Sequence, residues 1–154
     1  MPDQLTFKIR PFQKTDAKAC VKLINLNQKD LGDLYSEQSL IETSLHSKFW
    51  VAEKNHTIVG MIGFSNLKNG IGMTVSLSVH PEYKKQGIGR RLLQAAKNYA
   101  RKQGFRKVLA LIHAQNKPMM ILAIKEDFIP EGSLKNHFRT GQDVIYFSFF
   151  CNGN

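Results

Sequence analysis

Cysteine is nearly missing from this chain: Cys20 and Cys151 are the only two in 154 residues. So small and separated a set builds neither a disulfide framework nor a cysteine metal site, and it suits a reducing compartment. No metal is expected. Cys20 falls at helical spacing with Ala17, Val21 and Ile24, which assigns it to packing. Long apolar runs are missing too. No stretch nears the ~20 residues that a membrane-spanning helix needs, and the opening MPDQLTFKIR has no apolar signal-peptide core. The expectation is a cytoplasmic protein with no membrane partner. Repeats, low-complexity tracts and linkers are absent as well, so one domain over residues 1–154 is expected, large enough for a real core.

Acidic residues are few, 12 against 22 Lys and Arg, for a formal net charge of +10. Nucleic acid, an anionic surface or a polyphosphorylated ligand would all suit that balance. Its distribution is uneven. From Lys84 to Lys107 there are nine basic residues and no acid, whereas Asp30, Asp33, Glu37 and Glu42 form a stretch without Lys or Arg. The basic helix does not interleave aromatic rings with its exposed cations, as single-strand binding would, so no nucleic-acid partner is expected. The acidic stretch either attracts a cationic amine or only decorates a helix.

Apolar periodicity orders the rest. TFKIRPF reads as a first strand ending at Pro11, and Thr15 or Asp16 can cap a helix with Ala17, Cys20, Val21 and Ile24 inward. Residues 27–47 read as irregular to helical, with Leu34, Leu40, Ile41 and Leu45 inward. KFWVAEK and TIVGMIGFS make a hairpin around Asn55 and His56, and GMTVSLSV is a third strand of that group. A helix over Gly89–Gln103 turns Leu92, Leu93, Ala96, Tyr99 and Ala100 inward and Arg90, Gln94, Lys97 and Arg101 outward. KVLALIHA, a short helix from Pro118 to Ile124 and the strand DVIYFSFF complete the chain, with EGSLKNHFRTGQDV as a polar connection. These six strands and their helices give an α+β class, a mixed sheet that is mostly antiparallel with one parallel β-α-β crossover.

The chemistry concentrates where the strand ending at Val79 and Pro81 becomes a helix through Lys84, Lys85, Gln86, Gly87, Ile88, Gly89 and Arg90. Glycines at such a turn leave backbone N–H groups open at the positive end of a helix dipole, and the flanking cations add charge: a diphosphate site. A Walker A loop is absent, and a dinucleotide fingerprint fails at its third glycine, which is Leu92 here. A bare Gly-x-Gly can also start a helix that binds nothing.

Leu77, Val79, Pro81, Gly87 and Gly89, with Lys84 where Gln or Arg is usual, together resemble the coenzyme-binding signature of the GCN5-related N-acetyltransferases (GNAT). The first strand and its capped helix, and the segment from Asn116 to Phe128, resemble the same family, so the likeness spans nearly the whole chain. It implies a sheet that splays at the crossover to hold acetyl-CoA as co-substrate. It implies the diphosphate on the amides of Gln86 to Arg90, and the pantetheine arm along Leu77, Ser78 and Val79 near Asn116. The Val79 backbone N–H would polarise the thioester carbonyl. The implied activity is transfer of acetyl to a primary amine of a small molecule or a peptide or protein N-terminus, by direct attack in a ternary complex, with a homodimer as a possible assembly. The acceptor site is expected from residues 27–47 and the connection from Glu131 to Asp143.

The family's usual catalytic positions fall on apolar residues: its Tyr on Ala123, and its two alternative Glu positions on Met73 and Leu111. That departure raises a second reading, a non-catalytic acyl-CoA-binding protein of the same fold. Substitute groups are present. His113, at the end of its strand, and Tyr146, on the last strand, are the catalytic candidates; His80 and Glu53 are further substitutes. With no obvious base, a low-pKa amine is the better acceptor. Deprotonating an α-amine of pKa about 8 costs about 1.4 kcal/mol at pH 7, against about 4.6 kcal/mol for a lysine.

Overall fold

The computed structural model describes residues 6–27 and 35–153. Seven strands form one sheet: β1 (Lys8–Pro11), β2 (Lys48–Lys54), β3 (Thr57–Asn66), β4 (Ile71–Val79), β5 (Lys107–His113), β6 (Ile129–Leu134) and β7 (Val144–Phe150). Their order is β1-β2-β3-β4-β5-β7-β6. Every pair is antiparallel except β4 and β5. Helices α1 (Ala17–Leu26) and α2 (Glu37–Thr43) cover one face, around Cys20, Leu23, Ile24, Leu40, Phe49 and Met61. Helices α3 (Ile88–Lys102) and α4 (Lys117–Lys125) cover the other, around Leu92, Leu93, Ala96, Val108, Ala123 and Phe149. Burial raises the Cys20 thiol to about 12, which fits a packing role. Among the described residues no helix is long and apolar enough to cross a membrane.

The hairpin from β2 to β3 turns through Asn55 and His56, both with positive φ (48° and 61°), the geometry that Asn adopts most readily in a two-residue loop. Three expectations need correction. A seventh strand, β6, crosses the segment read as a connection; Pro130 and Gly132 hid it, and the register with β7 shifts between them. Lys97, expected outward, is buried: its Nζ bonds the Glu126 carbonyl at 2.7 Å and lies over the Phe149 ring at 4.4 Å. Leu45, expected inward, follows the end of α2 and is exposed. Leu34 lies outside the described residues, as do Asp30 and Asp33.

One ionic clasp fastens the start of the chain to the sheet. Arg10 on β1 gives Nη1 and Nη2 to the two oxygens of Asp16 at 2.8 and 2.9 Å, and Nε to Glu53 on β2 at 2.6 Å. Asp16 also accepts the Gln13 N–H at 2.8 Å. Burial pushes the Asp16 carboxyl up, but the bonds from Arg10 and Gln13 outweigh it, so the group sits below its ordinary range. A carboxyl depressed by folding stabilises the fold above its unfolded pKa, about 3.9, and loses that contribution as pH falls through the lower folded value. Urea midpoints should therefore drop below pH 4. Asp16→Ala should cost about 3 kcal/mol at pH 7, because it strands part of a buried pair, and should flatten that acid dependence. Equal acid sensitivity in the variant and the parent would refute the clasp's part in it.

Candidate active site

β4 and β5 pair from Ile71↔Lys107 to Thr74↔Ala110 and no further, although β4 continues to Val79 and β5 to His113. The two strands part beyond that point. The gap opens a cleft of about 1100 Å³, lined by Met73 to Leu77, Val79, Tyr83 to Lys85, Gly87 to Arg90, Ala110 to His113 and Asn116, among others.

Two features of β4 shape the gap. The register with β3 slips between Met61↔Ser78 and Gly63↔Val75, so β4 carries one extra residue, and Ser76 there has φ 54°. A left-handed serine costs on the order of 1 kcal/mol, and such bulges redirect side chains. Met73 and Val75 lie on the α1 side, as Val75's packing with that core indicates; Leu77 and Val79 pack with the α3 core. The bulge thus flips the strand. Beyond it, the His80 N–H bonds the Val59 carbonyl at 2.8 Å. In an antiparallel pair the bonded and non-bonded positions alternate, so at Gly60↔Val79 the Val79 N–H and C=O face away from β3, toward the gap. The Val79 carbonyl is met by Nδ2 of Asn27 at 3.3 Å, from the end of α1. Val79 N–H is left facing the cleft.

At the foot of the gap lies the glycine turn. Gly87 is the N-cap of α3 with φ 83°, and a side chain there would be strained by its backbone. The first helical bond is from Arg91 N–H to the Gly87 carbonyl, 3.1 Å. Among the described residues, no acceptor is found for the amides of Lys85 to Arg90. Six consecutive free N–H groups at a helix N-terminus form an anion nest, and Lys84, Lys85, Gln86 and Arg90 are exposed around it. Arg90 also bonds the buried Glu126 at 2.6 Å, which ties α3 to the end of α4.

Residues 20–123 match the acetyltransferase (GNAT) family. The chain belongs to that family. An N-alpha-acetyltransferase of Sulfurisphaera tokodaii is 30% identical over 153 residues, spanning 90% of this chain and 89% of that protein. Among solved structures, an N-acetyltransferase from Staphylococcus aureus superposes with TM-score 0.84 at 21% identity, covering 95% of this chain and 99% of that one. The yncA protein of Salmonella typhimurium, solved with its cofactor acetyl-CoA, gives TM-score 0.83 at 19% identity, over 97% and 96% of the two chains. This GNAT protein is thus an N-acetyltransferase, in a family whose acyl donor is acetyl-CoA.

Most residues singled out in the GNAT sequence meet in this cleft. Leu77, Val79, Lys84, Lys85, Gly87, Ile88, Gly89, Arg90, His113 and Asn116 all line it. Ser78, between two lining residues, is buried and not itself among the lining, and its Oγ has no partner among the described residues. Gln86 bonds the Glu82 carbonyl at 3.3 Å just outside. Asn116 caps α4, its Oδ1 accepting the Met119 N–H at 3.2 Å, which leaves its amide group for a ligand. The Nε2 of His113 is buried and finds no hydrogen-bond partner among the described residues, and the ring sits 5.4 Å from Phe138. Tyr146 is not among the lining residues: it stands opposite Leu111 on β7, against Gly132. His80 is a turn residue whose Nδ1 accepts the Glu82 N–H at 3.2 Å, and Glu53 belongs to the Arg10 clasp. Glu37 and Glu42 are exposed on α2, outside the lining. Met73 and Leu111 do line the cleft, whereas Ala123 is buried in the core.

Sequence reasoning missed Asn27, Tyr35, Tyr83, Lys125 and Phe138 as individual cleft residues. Lys125 had a findable signal, as a cation in the last turn of the helix that faces the glycine turn. Asn27 had none, because its partner Val79 is distant in sequence.

Proposed function

We propose that this acetyltransferase moves an acetyl group from acetyl-CoA directly to the α-amine of a peptide or protein N-terminus, with both bound in one ternary complex. The observation that carries the reading is the parted β4–β5 pair, which ends against a run of free amides. An extended, amide-bearing arm with a diphosphate at its end fits both. The arm runs as an added strand along Leu77, Ser78 and Val79, with the amide group of Asn116 nearby. The diphosphate rests on the amides of Gln86 to Arg90, including Gly87, Ile88 and Gly89, within the charge of Lys84 and Lys85. Arg90 and Lys125, which also border a smaller polar pocket beyond the cleft, suit the remaining nucleotide phosphate. The α-amine assignment rests on the N-alpha-acetyltransferase relative.

In the reaction the amine nitrogen attacks the thioester carbon. The carbonyl oxygen gathers charge against the Val79 N–H, a fixed donor of the oxyanion-hole kind. His113, whose imidazole lines the cleft, takes the proton from nitrogen as the C–N bond forms. The C–S bond then breaks, CoA leaves as thiolate, and solvent protonates it. A thiol of pKa about 8.5 leaving this way at pH 7 costs about 2 kcal/mol, less than one oxyanion donor typically supplies. No acid beside the sulfur is therefore required. Tyr146 supports the wall beside Leu111.

Acetyl-CoA turnover with two peptides tests the reading: one with a free N-terminus and no lysine, the other N-terminally blocked with one lysine. Acetylation of the α-amine should dominate at pH 7, since its deprotonation is easier by about 3 kcal/mol. A lysine preference, or no turnover of either peptide, would reject it.

A further inference from the structure

On the acceptor side of the cleft, the strand face shared by Met73, Val75, Leu111 and His113 is apolar except for the imidazole, with Tyr35 and Asn27 bordering the same cleft among the described residues. Continuing the parallel register Met73↔Leu109 and Thr74↔Ala110 brings Val75 level with Leu111 where the strands part. Both are only half-buried, as is Met73. Phe138 overhangs the same side, 38% exposed, with its ring against His113. Its loop is closed by its own bonds: Asn136 N–H to Asp143 Oδ1 at 2.8 Å, Gly141 N–H to Asn136 Oδ1 at 2.7 Å, and His137 N–H to the Gln142 carbonyl at 3.0 Å. Phe138 is thus presented to the cleft by a fixed loop rather than stranded on a loose one.

Resting on the proposed α-amine transfer, we infer that the acceptor's first residue is a large apolar one, its side chain seated between Met73, Val75 and Leu111 beneath Phe138. Geometry links the two ends. Leu111 lies two residues, ~7 Å, back from His113 on the same face of β5, within reach of a long first side chain whose α-amine is held beside the imidazole. A methionine or leucine side chain removes that exposed apolar surface from water. A glutamate or serine there would bury a polar group with no donor among Met73, Val75 and Leu111 to meet it.

Steady-state kinetics on peptides differing only at the first residue tests this, with Met, Leu, Ser and Glu in that place and acetyl-CoA saturating. The Met and Leu peptides should exceed the Ser and Glu peptides in kcat/KM by about 10- to 200-fold, the range a hydrophobic pocket provides. Leu111→Ala should cut the Met-over-Ser ratio about tenfold, and Met73→Ala, on the other strand, should lower the same ratio if Leu111→Ala does not fold. Ser or Glu peptides turned over as fast as Met would overturn the inference. So would a Leu111→Ala loss shared equally by all four peptides together with an unchanged ratio in Met73→Ala. Absence of turnover with every peptide overturns the α-amine reading, and the inference with it.

Discussion

Gly89→Asp should abolish measurable acetyl-CoA binding while leaving the fold as stable as before, or slightly more so. A Cβ at Gly89 would lie 3.4 Å from Leu122 and 3.7 Å from Val79, ordinary contact distances, so the position tolerates a side chain sterically. It is the second residue of α3, and a carboxylate in the first turn of a helix is favourable for the helix itself. The same carboxylate stands among the free amides that would otherwise meet a diphosphate, and it can take one of them for itself. Two like charges about 4 Å apart repel by about 4 kcal/mol at the effective dielectric of a protein surface. A loss of at least a hundredfold in affinity, about 2.7 kcal/mol, is therefore expected. Calorimetric titration and a thermal melt of the same preparation report both halves. A Kd within threefold of the parent would show that the diphosphate does not rest on this turn.

The glycine turn was legible because its chemistry is tied to residue type. A helix that begins on a left-handed residue favours Gly87, and an amide nest must be free of side chains, so local sequence marks it. The parallel crossover was legible for a similar reason, since the periodicity changes from two to 3.6 across Val79 and back again after Gly104. The elements that escaped are those fixed by distant partners. Lys97 looks like any outward cation of α3, but the carbonyl and carboxylate of Glu126 and the ring of Phe149, brought in by α4 and β7, hold it inside. The strand β6 carries Pro130 and Gly132, which argue against a strand locally, yet as the edge strand it has only β7 to satisfy. The bulge at Ser76 is set by the register of β3 and leaves only a blurred alternation in the sequence. That bulge decides which side chains face the acceptor, so the acceptor wall was the least legible part of the site. The apolar residues at Met73 and Leu111 were visible; that they stand in one exposed wall with Val75 and Phe138 was not.

His113→Gln is expected to lower kcat by about 10²- to 10⁴-fold, the contribution of a well-placed proton acceptor, with little change in the affinity for acetyl-CoA. Glutamine keeps a polar side chain of similar reach against Phe138 and fills most of the space, but its amide cannot carry the proton away. His113 ends β5 on the face away from α3, so its substitution should leave the turn at Gly87 and the β4 amides as they are. What separates a proton acceptor from a residue that merely shapes the wall is the dependence on the acceptor's basicity. An amine of low pKa is already neutral at the working pH and parts with its proton easily after attack, so it gains less from a base. Across peptides with α-amines of decreasing pKa, the deficit of the variant should shrink steadily. A wall residue would produce the same deficit throughout, with KM for the peptide rising and kcat nearly kept. Rates of His113→Gln equal to the parent's with every acceptor, or a deficit that ignores amine pKa, would remove the imidazole from the proton's path. The burden would then fall on the Val79 amide and on positioning alone, which fix the acetyl group but offer the departing proton only water.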